Sequence, residues 1–266
     1  MSGSTRLDVL MAERGIAESR SRAQALIMAG RVLVEGAVVT KAGSAVSETA
    51  RVELVAPPRY VSRGGEKLET ALDAFAVDVT GERCLDLGAS TGGFTDCLLQ
   101  HGAAAVVAVD VGRNQLHERL RADGRVTVLE GVNARRLDCA SLPYAPALIT
   151  ADVSFISLRL VLPAAVACAE PDWRALLLVK PQFEAGRSDV RKGVVRDPEV
   201  RRRVLRDFCA FVTSAGAVVA GVCDSCVPGP AGNREYVVYA AAAGHAAAQE
   251  GGVDVERAIA GASPDA

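Results

Sequence analysis

The 266-residue chain has room for one large domain and a smaller one, and half of its residues are hydrophobic, which is enough for a sizeable core. The formal net charge of −2 excludes a uniformly basic nucleic-acid binder, although residues 1–70 carry ten basic and eight acidic side chains. The first residues show no apolar core after their charge, and no run approaches the ~18 apolar residues of a membrane helix. We therefore expect a cytoplasmic protein without a signal peptide or membrane contact. Seven scattered cysteines predict reduced, mostly buried thiols, and Cys223 and Cys226 form a solitary C-x-x-C pair.

The first fifty residues predict a compact module of two short helices and small strands. Apolar spacing predicts one helix over 6–13 and a second that begins after the N-cap Ser19 and closes at Gly30. A hairpin over 32–39 and a further strand pair within 45–55 follow. Arg20 and Arg22 lie on the polar side of the second helix, where charge pattern alone fits a solvated face as well as a binding surface.

The segment 57–62 begins with two prolines, which predicts a stiff linker and a domain boundary. Apolar residues then recur at helical spacing from Leu68 to Phe75, so Lys67 falls in the first turn of an amphipathic helix. A cation there opposes the helix dipole, which hints at a functional role for Lys67, although solvent-facing lysines are common at such positions.

The chain from Cys84 to Asp96 indicates a buried strand, a glycine-rich turn and the start of a helix. Asp110 ends the next predicted strand, 22 residues after Gly88, where a nucleotide-binding βαβ unit places the acid that holds a ribose. The loop matches neither the dinucleotide fingerprint nor the triphosphate loop, and Asp86 before it suits a cationic ligand such as the methionine ammonium of S-adenosylmethionine. A glycine-rich turn without any ligand is the alternative. The predicted cofactor contacts are Asp86, Gly88, Ala89, Ser90, Thr91, Gly92, Gly93, Phe94, Asp110, Asn133, Ala134 and Asp152.

Strands and helices alternate through the remainder, which predicts an α/β fold with a doubly wound, Rossmann-like parallel sheet. Strands are expected over 126–129, 147–151, 175–179, 217–222 and 235–241, with helices over 154–169, kinked at Pro163, and 204–213. Ligands bind at the carboxyl ends of such strands, where Asp110, Asp152 and Lys180 fall. Residues 246–266 are expected to form a flexible tail.

Lys180 follows a strongly apolar strand and precedes a proline, so its amine is held at the strand end. Desolvation there is expected to lower its pKa toward that of a useful general base, although a lysine that reaches out to solvent is the alternative. Asp152 at a neighbouring strand end and Glu235 at the start of a late strand, together with Lys67, would balance the charge of one pocket.

Two resemblances to known families add to this interpretation. The stretches Arg6–Asp8, Ser19–Ala23 and Ala29–Gly36 resemble the S4 RNA-binding domain over residues 5–56. This resemblance implies contacts with the RNA backbone from Arg6, Arg20, Arg22 and Lys41. Such contacts determine how tightly RNA binds more than which RNA sequence is bound.

The second resemblance is to the FtsJ-type 2′-O-ribose methyltransferases, whose Lys-Asp-Lys-Glu set maps onto Lys67, Asp152, Lys180 and Glu235. With the S4 module, residues 5–241 resemble the TlyA family, on motifs that include 62–68, 86–94, 180–184, 191–197 and 232–236. Ser90-Thr91 and Cys226 depart from the expected prolines without removing a catalytic group.

This resemblance implies methylation of cytidine in 16S or 23S rRNA, or in both, with S-adenosylmethionine as cofactor, Lys180 as base and no metal. It also implies an S4-like domain over 1–56 and a methyltransferase domain over 63–245; we expect a monomer. The segment 187–206 has eight basic and three acidic residues and is expected to line the RNA path, with contacts from Arg63, Arg191 and Lys192.

Two other classes of function stay open at this point. A non-catalytic RNA-binding or ribosome-assembly factor would keep the fold without the reaction, and the intact Lys-Asp-Lys-Glu set argues against it. A membrane-active hemolysin would need a surface-active or spanning segment, which the sequence does not suggest. A dehydrogenase is least compatible with the glycine loop.

Overall fold

The computed structural model describes residues 3–186, 188–249 and 253–263 of the chain. It divides into two compact units, Met1–Arg59 and Tyr60–Ala266. Across the described ranges, no helix is both long and apolar enough to span a bilayer.

The first unit is a small α+β module. Its elements are β1 (Ser4–Arg6), α1 (Leu7–Glu13), α2 (Arg20–Met28), β2 (Val32–Val34), β3 (Ala37–Val38), β4 (Ala45–Ser47) and β5 (Val52–Leu54). The predicted N-cap of α2 is confirmed, because the Ser19 side chain accepts a hydrogen bond from the Arg22 amide. Leu7, Met11 and Ile27 are fully buried between the two helices and the strands.

The strands within 45–55 exist, but the prediction that they pair with each other is wrong. β4 pairs antiparallel with β1, a strand that the sequence did not predict, and β5 pairs antiparallel with β2. The unit therefore has a two-stranded sheet and a three-stranded sheet in the order β3-β2-β5.

The second unit is built on one seven-stranded sheet. Its strands are β6 (Arg83–Leu87), β7 (Ala105–Asp110), β8 (Val126–Glu130), β9 (Leu148–Ala151), β10 (Arg174–Val179), β11 (Ala217–Asp224) and β12 (Tyr236–Ala242). Its α-helices are α3 (Gly64–Ala74), α4 (Gly93–Gln100), α5 (Glu118–Arg121), α6 (Leu162–Val166), α7 (Pro181–Glu184), α8 (Pro198–Ser214), α9 (Ala246–Gln249) and α10 (Val255–Ala262).

The sheet order is β11-β12-β10-β9-β6-β7-β8. The strands from β10 to β8 are parallel, as predicted, but β12 runs antiparallel to both of its neighbours, so the sheet is mixed. The reversal matters for the site. Because β12 runs the other way, its first residues lie at the edge where the parallel strands end, and Glu235 directly precedes it.

Helices cover both faces of this sheet, which confirms the doubly wound architecture. Alternate residues of each central strand contribute to two separate cores, as the period of two in a strand requires. Leu177 contributes to the core with Val204 and Phe208 of α8, whereas Leu176 contributes to the core with Leu68 of α3 and Leu98 of α4.

Three expectations are corrected by the structure. The helix over 154–169 is replaced by an irregular segment, a 3₁₀ turn and the short α6, in which Pro163 occupies the first turn, where its missing N–H costs nothing. Residues 255–262 are not a flexible tail, because α10 packs on the sheet and buries Ile259. Residues 250–252 and 264–266 of that tail lie outside the described residues.

The third correction concerns the cysteines. Cys139 and Cys168 form a disulfide, which joins the segment after β8 to the segment after α6. Two cysteines 29 positions apart give no pairing signal in the sequence, because only the fold brings them together. Cys84, Cys97 and Cys209 are buried thiols outside this disulfide, as expected.

Candidate active site

The glycine-rich turn connects β6 to α4 at the carboxyl edge of the sheet. Gly88 has a φ of +78°, and a Cβ there would lie 2.5 Å from the Asp152 carbonyl oxygen. Only glycine allows this loop to pass so close to the end of β9. The Asp110 carboxylate accepts hydrogen bonds from the Ser90 amide at 2.8 Å and the Gly112 amide at 2.6 Å, which fixes the loop to the end of β7.

A cavity of about 470 Å³ opens beside this loop. Val109, Val132 and Val161 give it an apolar wall, and Asp110 and Asn133 give it polar groups at strand ends. An apolar wall with a few polar groups fits a flat base joined to a ribose. Six of the predicted cofactor contacts line this cavity: Gly88, Ser90, Asp110, Asn133, Ala134 and Asp152.

Two of the predicted cofactor contacts line neither this cavity nor the reaction cavity described next. Asp86 is fully buried within β6, where its carboxylate accepts hydrogen bonds from the hydroxyls of Thr95 and Thr150 at 2.7 and 3.1 Å. Burial raises the pKa of Asp86 to about 7. Gly92 has a φ of +97° and packs against Leu120, so it shapes the start of α4. Asp86 is therefore a support for the turn, and the expectation that it meets a cationic ligand is not matched by its position.

A second cavity, of about 260 Å³, adjoins the first, and we call it the reaction cavity. Gly88, Ser90, Asp152 and Ser154 line both, so one wall separates the two spaces. The remaining predicted loop contacts line the reaction cavity: Ala89, Thr91, Gly93 and Phe94. Lys67 and Lys180 line it as well, and both are more than nine-tenths buried.

The four predicted catalytic residues meet here as two ion pairs. Lys67 Nζ donates to Glu235 Oε2 at 2.5 Å, and Lys180 Nζ lies 2.5 Å from Asp152 Oδ1. The Lys180 contact is an ion pair, and the hydrogen bond of this amine goes to Ser154 Oγ at 2.9 Å. Glu235 is 1% exposed and lies behind Lys67. Each buried cation thus has an acid beside it, as burial requires.

Three residues near the pairs were not predicted. Ser154 accepts from Lys180, and Gln182 donates to Glu235 Oε1 at 3.1 Å. Phe155 is 92% exposed at the rim of the first cavity, in the left-handed region with a φ of +63°, and its ring lies 5.1 Å from that of Phe183. Ser154 and Phe155 lie two and three positions after Asp152 in the sequence, a proximity that could have indicated them.

The predicted RNA contacts of this unit are exposed. Arg63 precedes α3 and lines the reaction cavity. Arg191 forms an isolated bridge with Val194, and Lys192 lies in the tight turn between these two residues. Of the basic segment 187–206, Arg187 lies outside the described residues.

In the first unit, the predicted RNA contacts differ in their surroundings. Arg6 and Arg20 both bond to the fully buried carboxylate of Asp8, at 3.0 and 2.9 Å, and Gln24 donates to it as well. Arg20 and Gln24 of α2 thereby hold this helix against α1, which carries Asp8, and the Arg6 guanidinium keeps the pKa of Asp8 well below its usual range. The Arg6 and Arg20 side chains remain half exposed. Arg22 and Lys41 are exposed.

Comparison with known proteins identifies the class to which this arrangement belongs. Residues 60–242 match the model of the FtsJ-like methyltransferases, and residues 5–52 match that of the S4 domain. The chain belongs to the FtsJ-like methyltransferase family, with an S4 domain preceding the catalytic domain, and within it to the TlyA proteins.

Two curated relatives and one solved structure support this membership. A 16S/23S rRNA (cytidine-2′-O)-methyltransferase TlyA of Mycobacterium tuberculosis is 47% identical over 90% of both chains. Hemolysin A of Brachyspira hyodysenteriae is 42% identical over 88% of this chain and 98% of its own. The structure of a hemolysin candidate from Streptococcus thermophilus superposes with a TM-score of 0.73 at 37% identity, covering 98% of this chain and 96% of the other.

Proposed function

We propose that the protein transfers a methyl group from S-adenosylmethionine to the ribose 2′-hydroxyl of a cytidine in ribosomal RNA, of the small or the large subunit or of both. The observation that carries this proposal is the wall shared by the two cavities. It puts a cavity with an apolar wall and a few polar groups beside a space lined by Lys180, Asp152 and Lys67. The S4 domain and the rRNA substrate in the name of the mycobacterial relative support the choice of substrate. We infer from an rRNA substrate that the reaction takes place in the cytoplasm.

The residues present fit the proposed cofactor. Within the described residues, each carboxylate oxygen of Asp110 accepts one amide N–H, which leaves acceptor capacity for ribose hydroxyls. Asn133 Oδ1 caps the following 3₁₀ turn, so the backbone of 133–134 is the part that faces an adenine edge. When bound, S-adenosylmethionine supplies an electrophilic methyl group on sulfur.

The chain's own residues position the 2′-hydroxyl and accept its proton. Lys180 steers the 2′-hydroxyl and, once its ammonium has released its own proton, takes the proton of that hydroxyl. Asp152 and Ser154 hold this amine from two sides. Lys67, held by Glu235, lies across the reaction cavity and positions the hydroxyl. Because the reaction is a direct displacement, alignment supplies much of the rate.

The 2′-hydroxyl also makes the reaction selective for RNA over DNA. A nucleotide in folded rRNA must leave its stack to reach the cavity, and the exposed ring of Phe155 offers a surface on which an unstacked base can rest.

The test is methyl transfer from labelled cofactor to isolated 30S and 50S subunits. We expect label in rRNA that resists alkali at the modified linkage, and we expect Lys180→Ala to abolish it while still binding the cofactor. Arg83→Ala, which removes a cation at the opposite edge of the sheet, is the matched control. A wild type that binds no cofactor would favour the non-catalytic RNA-binding factor, and leakage of liposomes by the pure protein would favour the membrane-active alternative.

A further inference from the structure

A third cavity, of about 370 Å³, lies in the second unit and is lined by three arginines, Arg196, Arg201 and Arg234. The other lining residues include Val195 and Gly232. We call it the arginine pocket. None of its residues lines the cofactor cavity or the reaction cavity.

Arg201 is the central observation. It belongs to the first turn of α8, it is 8% exposed, and its Nη1 donates to the carbonyl oxygens of Arg196 at 2.8 Å and Val195 at 3.5 Å. Its Nε has no hydrogen-bond partner, and no carboxylate of the described residues lies within ion-pair distance of it. A buried guanidinium held only by carbonyl groups is unusual, because burial of a charge is normally compensated by an opposite charge.

The carboxylates nearby in the chain are engaged elsewhere. Asp189 pairs with Arg203 at 2.6 Å, Glu199 pairs with Arg202 at 2.5 Å, and the Asp197 side chain caps α8. Within the described part of the chain, Arg196 and Arg234 likewise form no ion pair, so the pocket keeps its positive charge. Guanidinium groups that line one cavity suit the oxygens of a phosphate, which each can bind in pairs.

The arginine pocket is tied to the catalytic residues by one buried side chain. Asn233 is 3% exposed; its Oδ1 accepts from the Val195 amide at 3.0 Å and its Nδ2 donates to the Gly193 carbonyl at 2.8 Å. It thereby joins the segment before α8 to the loop that ends in Glu235. A ligand between Arg201 and Arg234 would fix that loop, and with it the acid that holds Lys67.

We propose that the arginine pocket binds one phosphate group of the RNA backbone near the target nucleotide, and that this contact aligns the loop that presents Glu235. The proposal rests on the RNA methylation proposed above. Arg201 and Arg234 bind the phosphate oxygens. Asn233 is a positioning residue, because its hydrogen bonds connect the segment before α8 to the loop that holds Glu235 in place.

The first experiment measures phosphate binding to the arginine pocket without requiring methyl transfer. Heat unfolding of the full chain is followed by the fluorescence of Trp173, the single tryptophan, in inorganic phosphate and in chloride at equal ionic strength. Because a ligand of the folded state raises Tm, we expect phosphate to raise Tm of the wild type and of Arg83→Gln. We expect no rise in Arg201→Gln or Arg234→Gln. Arg234 is only partly buried, so its variant keeps the test valid if Arg201→Gln does not fold.

The second experiment measures KM for rRNA and the salt dependence of rRNA binding. We expect Arg201→Gln and Arg234→Gln to raise KM for rRNA about tenfold and to leave KM for the cofactor unchanged. The slope of log affinity for rRNA against log salt should fall by about 0.7–0.9, the value for one phosphate contact. Arg83→Gln should change none of these. Asn233→Asp should lower kcat more than it raises KM for rRNA, which a purely structural role would not produce without a matching loss of Tm.

The outcomes separate this proposal from the function on which it rests. If no rRNA is methylated but phosphate still stabilises the wild type and not the variants, the methylation proposal fails and the anion site stands. If phosphate stabilises only through the arginine pocket and KM for rRNA does not change in the variants, the pocket binds a free phosphate and the RNA assignment is overturned. If phosphate stabilises the wild type and both variants equally, the site itself is overturned.

Discussion

Removal of one partner from the Lys67–Glu235 pair should destabilise the second unit strongly. The two side chains are 8% and 1% exposed and meet at 2.5 Å, so loss of either charge leaves the other charge buried. Breaking such a pair costs about 3–5 kcal/mol, whereas replacing both partners with groups of similar volume is about neutral. We therefore expect Glu235→Gln and Lys67→Met each to lower the free energy of unfolding by about 3–5 kcal/mol. The double variant should recover most of this loss and still lack methyl transfer.

The assay is urea unfolding followed by Trp173 fluorescence. Trp173 is 8% exposed in the core of the second unit, so its signal reports on that unit and not on the S4 domain. Arg83→Gln breaks an exposed pair with Glu170 and should change the unfolding free energy by at most about 1 kcal/mol. Single variants within about 0.5 kcal/mol of the wild type would refute the reasoning, since changes of that size are typical of uncritical surface sites.

Three further predictions concern Asp86 beneath the glycine-rich turn, Gly88 in that turn, and Phe155 at the rim of the cofactor cavity. Burial raises the pKa of Asp86 from 3.8 to about 7, so the folded chain holds this proton more tightly than the unfolded chain. The stability that results is fully present below about pH 4 and is lost as pH rises through 7. Between pH 5 and pH 8 the wild type should lose about 2–3 kcal/mol relative to Asp86→Asn; equal pH profiles in urea unfolding would contradict this. Gly88→Ala should weaken cofactor binding at least ~10-fold in calorimetry, because its Cβ meets the Asp152 carbonyl and its φ is positive; unchanged affinity would place the cofactor elsewhere. Phe155→Ala should lower kcat/KM for rRNA about 5- to 150-fold, the equivalent of about 1–3 kcal/mol for base stacking, with cofactor affinity and Tm unchanged; an unaltered kcat/KM would remove the ring from substrate binding.

The sequence predicted which residues lie at the carboxyl ends of the parallel strands, because each strand end carries a local signal. Asp110, Asp152 and Lys180 each follow an apolar run, and parallel strands bring their carboxyl ends together. The direction of β12 could not be predicted in the same way, because strand pairing depends on contacts far apart in the chain. That direction is what brings Glu235 to Lys67, 168 positions away.

Packing also gives several residues roles that the sequence does not reveal. Asp86 has the residue type expected for a ligand contact. Its position in β6, however, directs its side chain into the interior, where it bonds to Thr95 and Thr150. Arg6 and Arg20 match an RNA-binding pattern, yet both also satisfy a buried acid, Asp8, which only the packing of α1 on α2 reveals. The arginine pocket was equally hidden: the sequence showed a basic segment, and only the fold distinguishes buried Arg201 from exposed neighbours.

The most direct measurement is the alkali-resistant transfer of labelled methyl groups to rRNA of isolated subunits by the wild type and by Lys180→Ala. We expect label with the wild type on one or both subunits and none with Lys180→Ala, with cofactor affinity equal in the two proteins. Label at an alkali-sensitive or base position, or full activity in Lys180→Ala, would contradict the assignment of ribose methylation to the Lys180–Asp152 site.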